Sequence, residues 1–350
     1  MNKLKIAILF GGNSPEYSVS LKSAYAIIKA LDKSRYEKIL IGITRDGSWF
    51  RYYGEINNIE NDTWHINSTD CVPVFINPDP KLHGIIELKK DAYICTSLDA
   101  AFPVLHGRNG EDGTVQGLIE LAGIPLIGCG TLASALCMDK KRAHRLVSQA
   151  GIKTPKAITI SKVISDQKLF KLISKLNYPL FVKPVKAGSS LGISKIMGCQ
   201  ELLPAINLAF NYDNEVIIEE KIEGFEVGCA IIGNHDLIIG EVDEIELSDG
   251  FFDYTEKYSL KTSKIHMPAR IDNDVAESIK KVAALIYRSL GCKGFARVDM
   301  FLTPDNKIVF NEVNTIPGFT PQSRYPKMMK GIGMSFSDIL DKLVELGTKL

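Results

Sequence analysis

FARVDMFLTPDNKIVFNEVN, residues 295–314, reads as two apolar strands, Phe295 to Leu302 and Lys307 to Asn314, joined at Pro304-Asp305-Asn306, a turn signal. Glu312 and Asn314 are two apart, so on a strand they share a face. If the turn pairs residue 303 with residue 308, antiparallel register sets Asp299 opposite Glu312. Two carboxylates and an amide oxygen would then converge on one spot. Like charges directly opposite are destabilising unless something neutralises them. Hard divalent cations take such oxygen ligands, and Mg²⁺ typically uses one or two carboxylates plus phosphate oxygens. The plain alternative is two solvated acids on a surface hairpin. Against it, Val298, Met300, Val309, Phe310 and Val313 surround both acids with apolar side chains.

Working outward, Lys183-Pro184-Val185-Lys186-Ala187-Gly188-Ser189-Ser190-Leu191-Gly192 is a lysine ending an apolar strand, then a Gly/Ser loop. Backbone N–H groups and hydroxyls can surround phosphate oxygens while the lysine supplies charge. No Gly-Lys-Ser/Thr opens a helix, so this is not a Walker A loop, and a flexible hairpin is an equal reading. Lys140 opens an expected helix, and Glu220, Lys221 and Glu226 end an expected strand. Each alone reads as a solvated charge. Glu16 occupies a Gly-rich strand-to-helix turn, a place where anions usually bind. A carboxylate there suits an ammonium group, or it serves the helix dipole. His106 to Asp112 follows another strand of the same sheet, where open α/β sheets bind ligands. Asp249 to Ser263 shows no period of either kind, as expected of a lid or a plain surface loop.

The chain has 350 residues, and 42 basic against 41 acidic side chains leave a net charge of +1. The length implies two or three domains. The charge gives no reason to expect nucleic acid or an anionic membrane as partner. Seven scattered cysteines without a CxxC pair indicate neither a disulfide framework nor a zinc site. The apolar run before Gly11-Gly12 is too short for a signal segment or a membrane span, so a cytoplasmic enzyme is expected. Ile6 to Phe10, a helix that Ser18 or Ser20 can cap, and Ile39 to Ile43 form a βαβ start that predicts a parallel sheet. Residues 57–91 are polar and the least readable. Helices are expected over 114–122 and 139–150. The expected division is an N-terminal α/β domain over 1–130, a central α+β domain over 131–220 and a C-terminal α+β domain over 221–350.

Taken in order, the motifs resemble the D-alanine–D-alanine ligase family of the ATP-grasp superfamily. They are Gly11-Gly12-Asn13-Ser14-x-Glu16, His106-Gly107-x-x-Gly110-Glu111-Asp112-Gly113, Met138-Asp139-Lys140, Lys183-Pro184, Gly188-Ser189-Ser190, Asp253-Tyr254-x-x-Lys257-Tyr258, Arg297-Val298-Asp299 and Asn311-Glu312-Val313-Asn314-Thr315 with Pro317-Gly318. The resemblance implies a three-domain ATP-grasp fold that uses ATP and two Mg²⁺ ions, with Mn²⁺ as an alternative. Lys140 and Lys183 would contact phosphates, Glu220 and Lys221 would flank adenine, and Glu226 would hold ribose. Asp299, Glu312 and Asn314 would bind the metals. Glu16 would hold the ammonium of the first D-alanine in a loop region shared with His106. Arg297 and the Gly318 amide would stabilise the tetrahedral intermediate. Lys257 and Tyr258 would be lid residues, with Tyr258 bonded to Ser189. Relatives of this kind are homodimers, which extends to this chain by analogy.

Ordinary family members carry Tyr where Phe252 stands and Leu or Met where Arg324 stands. Losing the hydroxyl at 252 opens room. A guanidinium after Thr320-x-x-Ser323, acting directly or through Asp243, adds donors for a substrate hydroxyl. The combination is similar to VanG-type D-alanine–D-serine ligases of vancomycin resistance. It implies D-serine as second substrate, with a second D-alanine as the alternative. Pro321-Gln322 departs from that pattern. Histidine replaces Lys257-Tyr258 in D-lactate-forming relatives, which argues against an alcohol nucleophile.

Overall fold

The computed structural model describes residues 3–161, 165–188, 190–247 and 263–349. Ser189, Phe252, Lys257, Tyr258 and the rest of the expected lid up to residue 262 lie outside the described residues.

Three sheets organise the described residues. The first contains β1 (Leu4–Gly11), β2 (Tyr36–Ile43), β3 (Trp49–Tyr52), β4 (Cys71–Ile76), β5 (Gly84–Lys89), β6 (Ala92–Ser97) and β7 (Ala100–Pro103), in the spatial order β6-β5-β4-β3-β2-β1-β7. The apolar run Ile6 to Phe10 lies at its centre and is fully buried, flanked in parallel by β2 and β7. The expectation of a parallel sheet holds for those three strands only. From β2 outward every pairing is antiparallel. The physical reason is connection length: only residues 44–48 separate β2 from β3, with Thr44 N–H bonded to the Ser48 carbonyl at 2.9 Å. That is a hairpin, too short for a crossover helix.

The helix Tyr17–Ala30 begins before either expected cap, with Glu16 at its N-cap position. Ser20 lies one turn inside and is fully buried. Its hydroxyl accepts from Gly11 N–H at 2.8 Å and donates to the Val104 carbonyl. So Ser20 ties the carboxyl end of β1 to the segment after β7 instead of capping the helix. The polar stretch 57–91 is pinned by Trp64. Its indole packs edge-on to Phe10 with centroids 5.1 Å apart, and Nε1 donates to the Tyr17 hydroxyl at 2.9 Å. Gly42 makes room for it, since a Cβ there would lie 2.4 Å from the indole ring.

The second sheet is β10-β9-β11-β8, from β8 (Ala157–Ser161), β9 (Leu180–Pro184), β10 (Ser194–Ile196) and β11 (Glu215–Glu220). The third is β14-β13-β12-β15-β16, from β12 (Phe225–Ile232), β13 (Ile238–Leu247), β14 (Ser263–His266), β15 (Phe295–Leu302) and β16 (Ile308–Asn314). The helices Thr131–Met138 and Lys140–Gln149 share the core of this third sheet, where Ala133, Cys137, Ala143 and Val147 meet Val298, Met300 and Phe310. Asp139 caps the second of them, accepting from Arg142 N–H at 2.9 Å. The C-terminal helices Arg324–Gly331 and Phe336–Thr348 bury Tyr325, Met328, Ile339 and Leu343 in one cluster with Phe10 and Phe102 of the first sheet. First and third sheets are therefore joined through a continuous apolar core. All seven cysteines are free. Among the described residues no helix is long and apolar enough to cross a membrane.

Trp64→Ala should destabilise the protein by about 3–5 kcal/mol in urea unfolding, as for other buried aromatic truncations. A loss under 1 kcal/mol would show that residues 57–91 are not anchored by this side chain.

Candidate active site

The 295–314 hairpin closes one residue earlier than its sequence suggests. Thr303 N–H bonds to the Lys307 carbonyl at 3.0 Å, and Asn306 turns the chain with φ at 58°. Leu302, Phe301 and Met300 then pair with Ile308, Val309 and Phe310. The register shifts at Asn311, and beyond this bulge Asp299 faces Glu312 and Arg297 faces Asn314. The 303–308 premise is thus corrected, while the opposition of the two carboxylates stands because the bulge restores the lost residue. The bulge is held on both sides: Phe310 N–H bonds to the Lys153 carbonyl at 2.8 Å, and His144 Nε2 lies 3.0 Å from the Asn311 carbonyl.

One row of paired residues crosses the third sheet here: Asp243, Gly228, Asp299 and Glu312 on β13, β12, β15 and β16. Asp299 is 1% exposed. Arg297, two residues back on the same face, donates to both its oxygens at 2.7–3.1 Å, and Asn314 Nδ2 donates to Oδ2 at 2.8 Å. Arg324 Nη2 stands 3.5 Å from Oδ1. The same guanidinium donates to both oxygens of Asp243, at 2.7 and 2.8 Å, and to Glu226 at 3.2 Å. Burial opposes the charge of both arginines, but Asp299 beside Arg297, and Asp243 and Asp299 beside Arg324, hold both pKa values above the ordinary range. Glycine at 228 is required: a Cβ would sit 2.4 Å from Arg324 Nη2 and 2.6 Å from Asp243 Oδ1.

Glu312 and Asn314 are oxygen-bearing side chains on the cavity wall, and Asp299 lies directly across from Glu312. This donor set fits a hard divalent cation. Asp299 is engaged by Arg297 and by the Asn314 amide nitrogen.

Two cavities meet at this hairpin. The first, about 410 Å³, falls in the size range of small-molecule sites. Lys140, Lys183, Glu220, Lys221 and Glu226 all line it, together with Phe181, Asn311 and Glu312. Lys140 Nζ donates to the Ala187 carbonyl at 2.7 Å, drawing the Gly/Ser loop over the cavity. Glu220 is turned toward Asn177, accepting from its N–H at 2.9 Å and its amide at 3.0 Å. Lys221 pairs with Glu223 at 2.9 Å. The buried carboxylate facing Lys183 is Glu219, which sequence reasoning missed. The sequence carried no signal for it, since Glu219 and Glu220 are both acidic and only the β9–β11 register separates their faces.

The second cavity, about 460 Å³, is lined by Glu16, His106, Glu111, Arg297, Gly318, Ser323 and Arg324. Gly188 and Glu312 border both cavities. Glu16 sits between two close-approaching loops. A Cβ on Gly107, whose φ is +71°, would be 2.9 Å from Glu16 Oε2, and one on Gly188 would be 3.2 Å from it. His106 is buried with Nε2 unpartnered. Burial lowers its pKa against the pull of Glu16, which keeps the ring neutral at pH 7. Glu111 joins the two lobes, accepting from Gly107 N–H at 2.8 Å and Ile316 N–H at 3.2 Å. Ser323 holds the following turn, its hydroxyl accepting from Thr320 N–H at 3.1 Å. Asp243 is fully buried beneath Arg324 and belongs to the floor of the site.

Comparison with known proteins names this architecture. Residues 5–129 match the family described as "D-ala D-ala ligase N-terminus" and residues 146–345 match "D-ala D-ala ligase C-terminus". The chain is 44% identical to a D-alanine–D-alanine ligase of Caldicellulosiruptor bescii, over 99% of this chain and 95% of that protein. It is equally 44% identical to a putative D-alanine–D-lactate ligase of Streptomyces coelicolor, over 99% of this chain and 98% of that one. The crystal structure of VanG D-Ala:D-Ser ligase from Enterococcus faecalis superposes with a TM-score of 0.93 at 57% identity, covering 99% of each chain. The chain belongs to the D-alanine–D-alanine ligase family, a family of ATP-dependent ligases with the three-domain ATP-grasp architecture.

Gly228→Ala should destabilise the fold by about 1–3 kcal/mol through overpacking and displace Arg324. Thermal unfolding measures the first effect and the KM for the second substrate the second. Wild-type values in both would show that the row tolerates a methyl group.

Proposed function

We propose that this enzyme joins D-alanine to D-serine at the expense of ATP, through a D-alanyl phosphate. The observation that carries the choice of second substrate is Arg324, immobilised at the wall of the substrate cavity by Asp243 and Glu226. The 57% identity with VanG D-Ala:D-Ser ligase supports the same reading. Peptidoglycan precursors ending in D-serine would then be its cellular product, the route to vancomycin resistance.

The residues take the following parts. Lys140 and Lys183 bind phosphates at the loop end of the first cavity, with Glu220, Lys221 and Glu226 along its nucleoside end. Glu312 and Asn314, with Asp299 once released by its partners, would hold Mg²⁺. The metal supplies neutralisation of phosphoryl charge. Glu16 holds the ammonium of D-alanine, leaving its carboxylate near the shared border of the two cavities. That carboxylate attacks the γ-phosphate. The amine of the second amino acid then displaces phosphate from the acyl carbon. Arg297 and the Gly318 amide stabilise the oxyanion of that step, while Ser323 and Arg324 orient the second substrate. Neutral His106 sits beside Glu16 without competing for its charge. Ser189, Phe252, Lys257 and Tyr258 complete this scheme as lid and pocket residues that keep water from the acyl phosphate. The division at 1–130, 131–220 and 221–350, a homodimeric state and a cytoplasmic location belong to the same proposal.

One observation favours a second D-alanine instead. Three of the five N–H groups of Arg324 already point at carboxylates, which limits what it can offer a substrate hydroxyl.

ADP release measured with ATP, Mg²⁺, D-alanine and a panel of second substrates decides between them. D-serine should raise turnover above D-alanine alone. Equal rates would select the D-alanine–D-alanine reading. Arg324→Leu combined with Phe252→Tyr should shift the D-serine to D-alanine ratio of kcat/KM toward D-alanine by about tenfold or more, and an unchanged ratio rejects the pocket argument. Asp299→Asn should cut ADP formation by roughly a hundredfold or more, because metal stabilisation of phosphoryl charge is worth several kcal/mol. Its far-UV circular dichroism should stay native. Unimpaired turnover would remove the metal assignment.

A further inference from the structure

Three of the seven cysteines, scattered in the sequence, converge in the core of the third sheet. Cys129 precedes the helix Thr131–Met138, Cys137 lies in its last turn, and Cys292 sits between the helix Asn273–Ser289 and β15. All three are buried in one apolar cluster with Ala133, Tyr287 and Ala296. Cys137 Sγ lies 3.7 Å from Cys292 Sγ, although the two residues are 155 apart along the chain. Cys129 is engaged differently: its thiol donates to the Lys293 carbonyl at 3.2 Å. Among the described residues that line the two cavities there is no cysteine. The backbone holds the contact in place. Cys292 N–H bonds to the Tyr287 carbonyl at 3.0 Å. A Cβ on Gly294 would sit 2.8 Å from Gly128 Cα, so the chain entering β15 crosses the segment before Cys129 at backbone contact.

A disulfide needs sulfurs about 2.05 Å apart, so this pair must close by about 1.7 Å. Side-chain rotation with a small shift of the helix end can supply that. Thiol oxidation needs a thiolate and an accessible sulfur. Cys129 pulls the Cys292 thiol down, but Cys137 and burial outweigh it and hold that group well above the ordinary range. Cys292, then burial, push the Cys129 thiol up as well. Cys137, the most exposed of the three at 6%, therefore meets an oxidant first. Sulfurs so enclosed admit only a small, uncharged oxidant, and hydrogen peroxide is of that class. The Cys137 sulfur attacks one peroxide oxygen and the O–O bond breaks, leaving a sulfenic acid and one water. The Cys292 sulfur then attacks the Cys137 sulfur. The S–O bond breaks, and the hydroxyl leaves as a second water with the Cys292 proton. Two thiols and one peroxide thus give one disulfide and two waters.

We propose that Cys137 and Cys292 form a peroxide-driven disulfide that cross-links the helix Thr131–Met138 to the entry of β15. The bond locks the segment between the two family-matched stretches, 5–129 and 146–345, onto the third sheet. The full-length enzyme is treated with hydrogen peroxide, digested without reduction and mapped by mass spectrometry, beside Cys292→Ala and Cys137→Ala. Wild type should yield two peptides joined through Cys137 and Cys292, separated again by dithiothreitol. Its thermal midpoint should rise by about 5 °C on oxidation and fall back on reduction, since bridging residues this far apart constrains the unfolded chain. In Cys292→Ala no second thiol resolves the first step. Dimedone should then capture Cys137 as its sulfenic acid, and peroxide should not raise the midpoint. Cys137→Ala should show neither the bond nor the rise. Cys95 and Cys199, both exposed, show in the same map that the oxidant has acted. If the peptides carrying Cys137 and Cys292 are recovered unjoined, or either is joined to another cysteine, the proposal is overturned. That mapping is done on wild type and does not depend on a variant folding. The mapped bond without a rise in midpoint overturns the lock.

Discussion

The row Asp243, Gly228, Asp299, Glu312 is the constraint on which the site depends. It places three carboxylates in line across four strands, with a bare glycine in the second position. Arg324 lies over that glycine and bonds to one aspartate while approaching the other. Arg297 lies beside Asp299 and clamps both its oxygens. Buried ion pairs of this kind add little net stability, because desolvation consumes most of the Coulombic gain. Removing one partner is costly, since it strands a charge. The network therefore sets geometry more than it strengthens the fold. Each strand must keep its register, because a slip by one residue turns every one of these side chains to the opposite face.

Much of this was legible from residue types and spacing. The hairpin and its two opposed acids are legible because strand alternation and turn chemistry are local signals, whereas Lys140, Lys183, Glu220, Lys221 and Glu226 were grouped by the family resemblance, and the structure sets all five around one cavity. The bulge at Asn311 is not legible, because a bulge has no period. It is imposed by contacts with Lys153 and His144, which are distant in sequence. Its presence compensated an error in the turn, so the right pairing was reached from a wrong premise. Glu219 was hidden for a related reason. Its neighbour Glu220 is equally acidic, and only the pairing with β9 tells which of the two faces Lys183. Ser20 shows a different limit. Its residue type favours a helix cap, yet burial against Gly11 and Val104 offers the hydroxyl stronger partners inside. The antiparallel half of the first sheet is not legible in the βαβ start, because the sheet changes direction at the short 44–48 hairpin and continues through the polar stretch 57–91.

The two cavities differ in how firmly they are framed. The second cavity is bounded by elements of the first and third sheets that share one apolar core, through Phe10, Phe102, Phe295, Phe319 and Tyr325. Interiors packed in this way are bistable rather than freely deformable, so Glu16, Arg297 and Gly318 keep their separations. The first cavity lies between the second and third sheets, and the second sheet has its own separate core. Polar contacts cross it: the Lys140 ammonium to the Ala187 carbonyl and the Lys140 N–H to the Val185 carbonyl. An aperture closed by polar contacts can exchange them for those of a polyphosphate at modest cost, because one set of charge-assisted bonds replaces another.

The engagement of Arg324 by three acids bears on selectivity in a way that a count of free donors does not capture. A mobile guanidinium could turn away when its substrate partner is missing and find water or another acid. One locked by Asp243 and Glu226, resting on Gly228, has no such freedom. On the D-serine reading proposed above, a substrate lacking the hydroxyl leaves a buried donor unpaired, which costs about 1–3 kcal/mol, or roughly five- to 150-fold in rate ratio. Extra space in a pocket admits a larger side chain but cannot by itself reject a smaller one. Discrimination must come from rigidity, and in this chain rigidity comes from the same carboxylates that occupy most of the arginine.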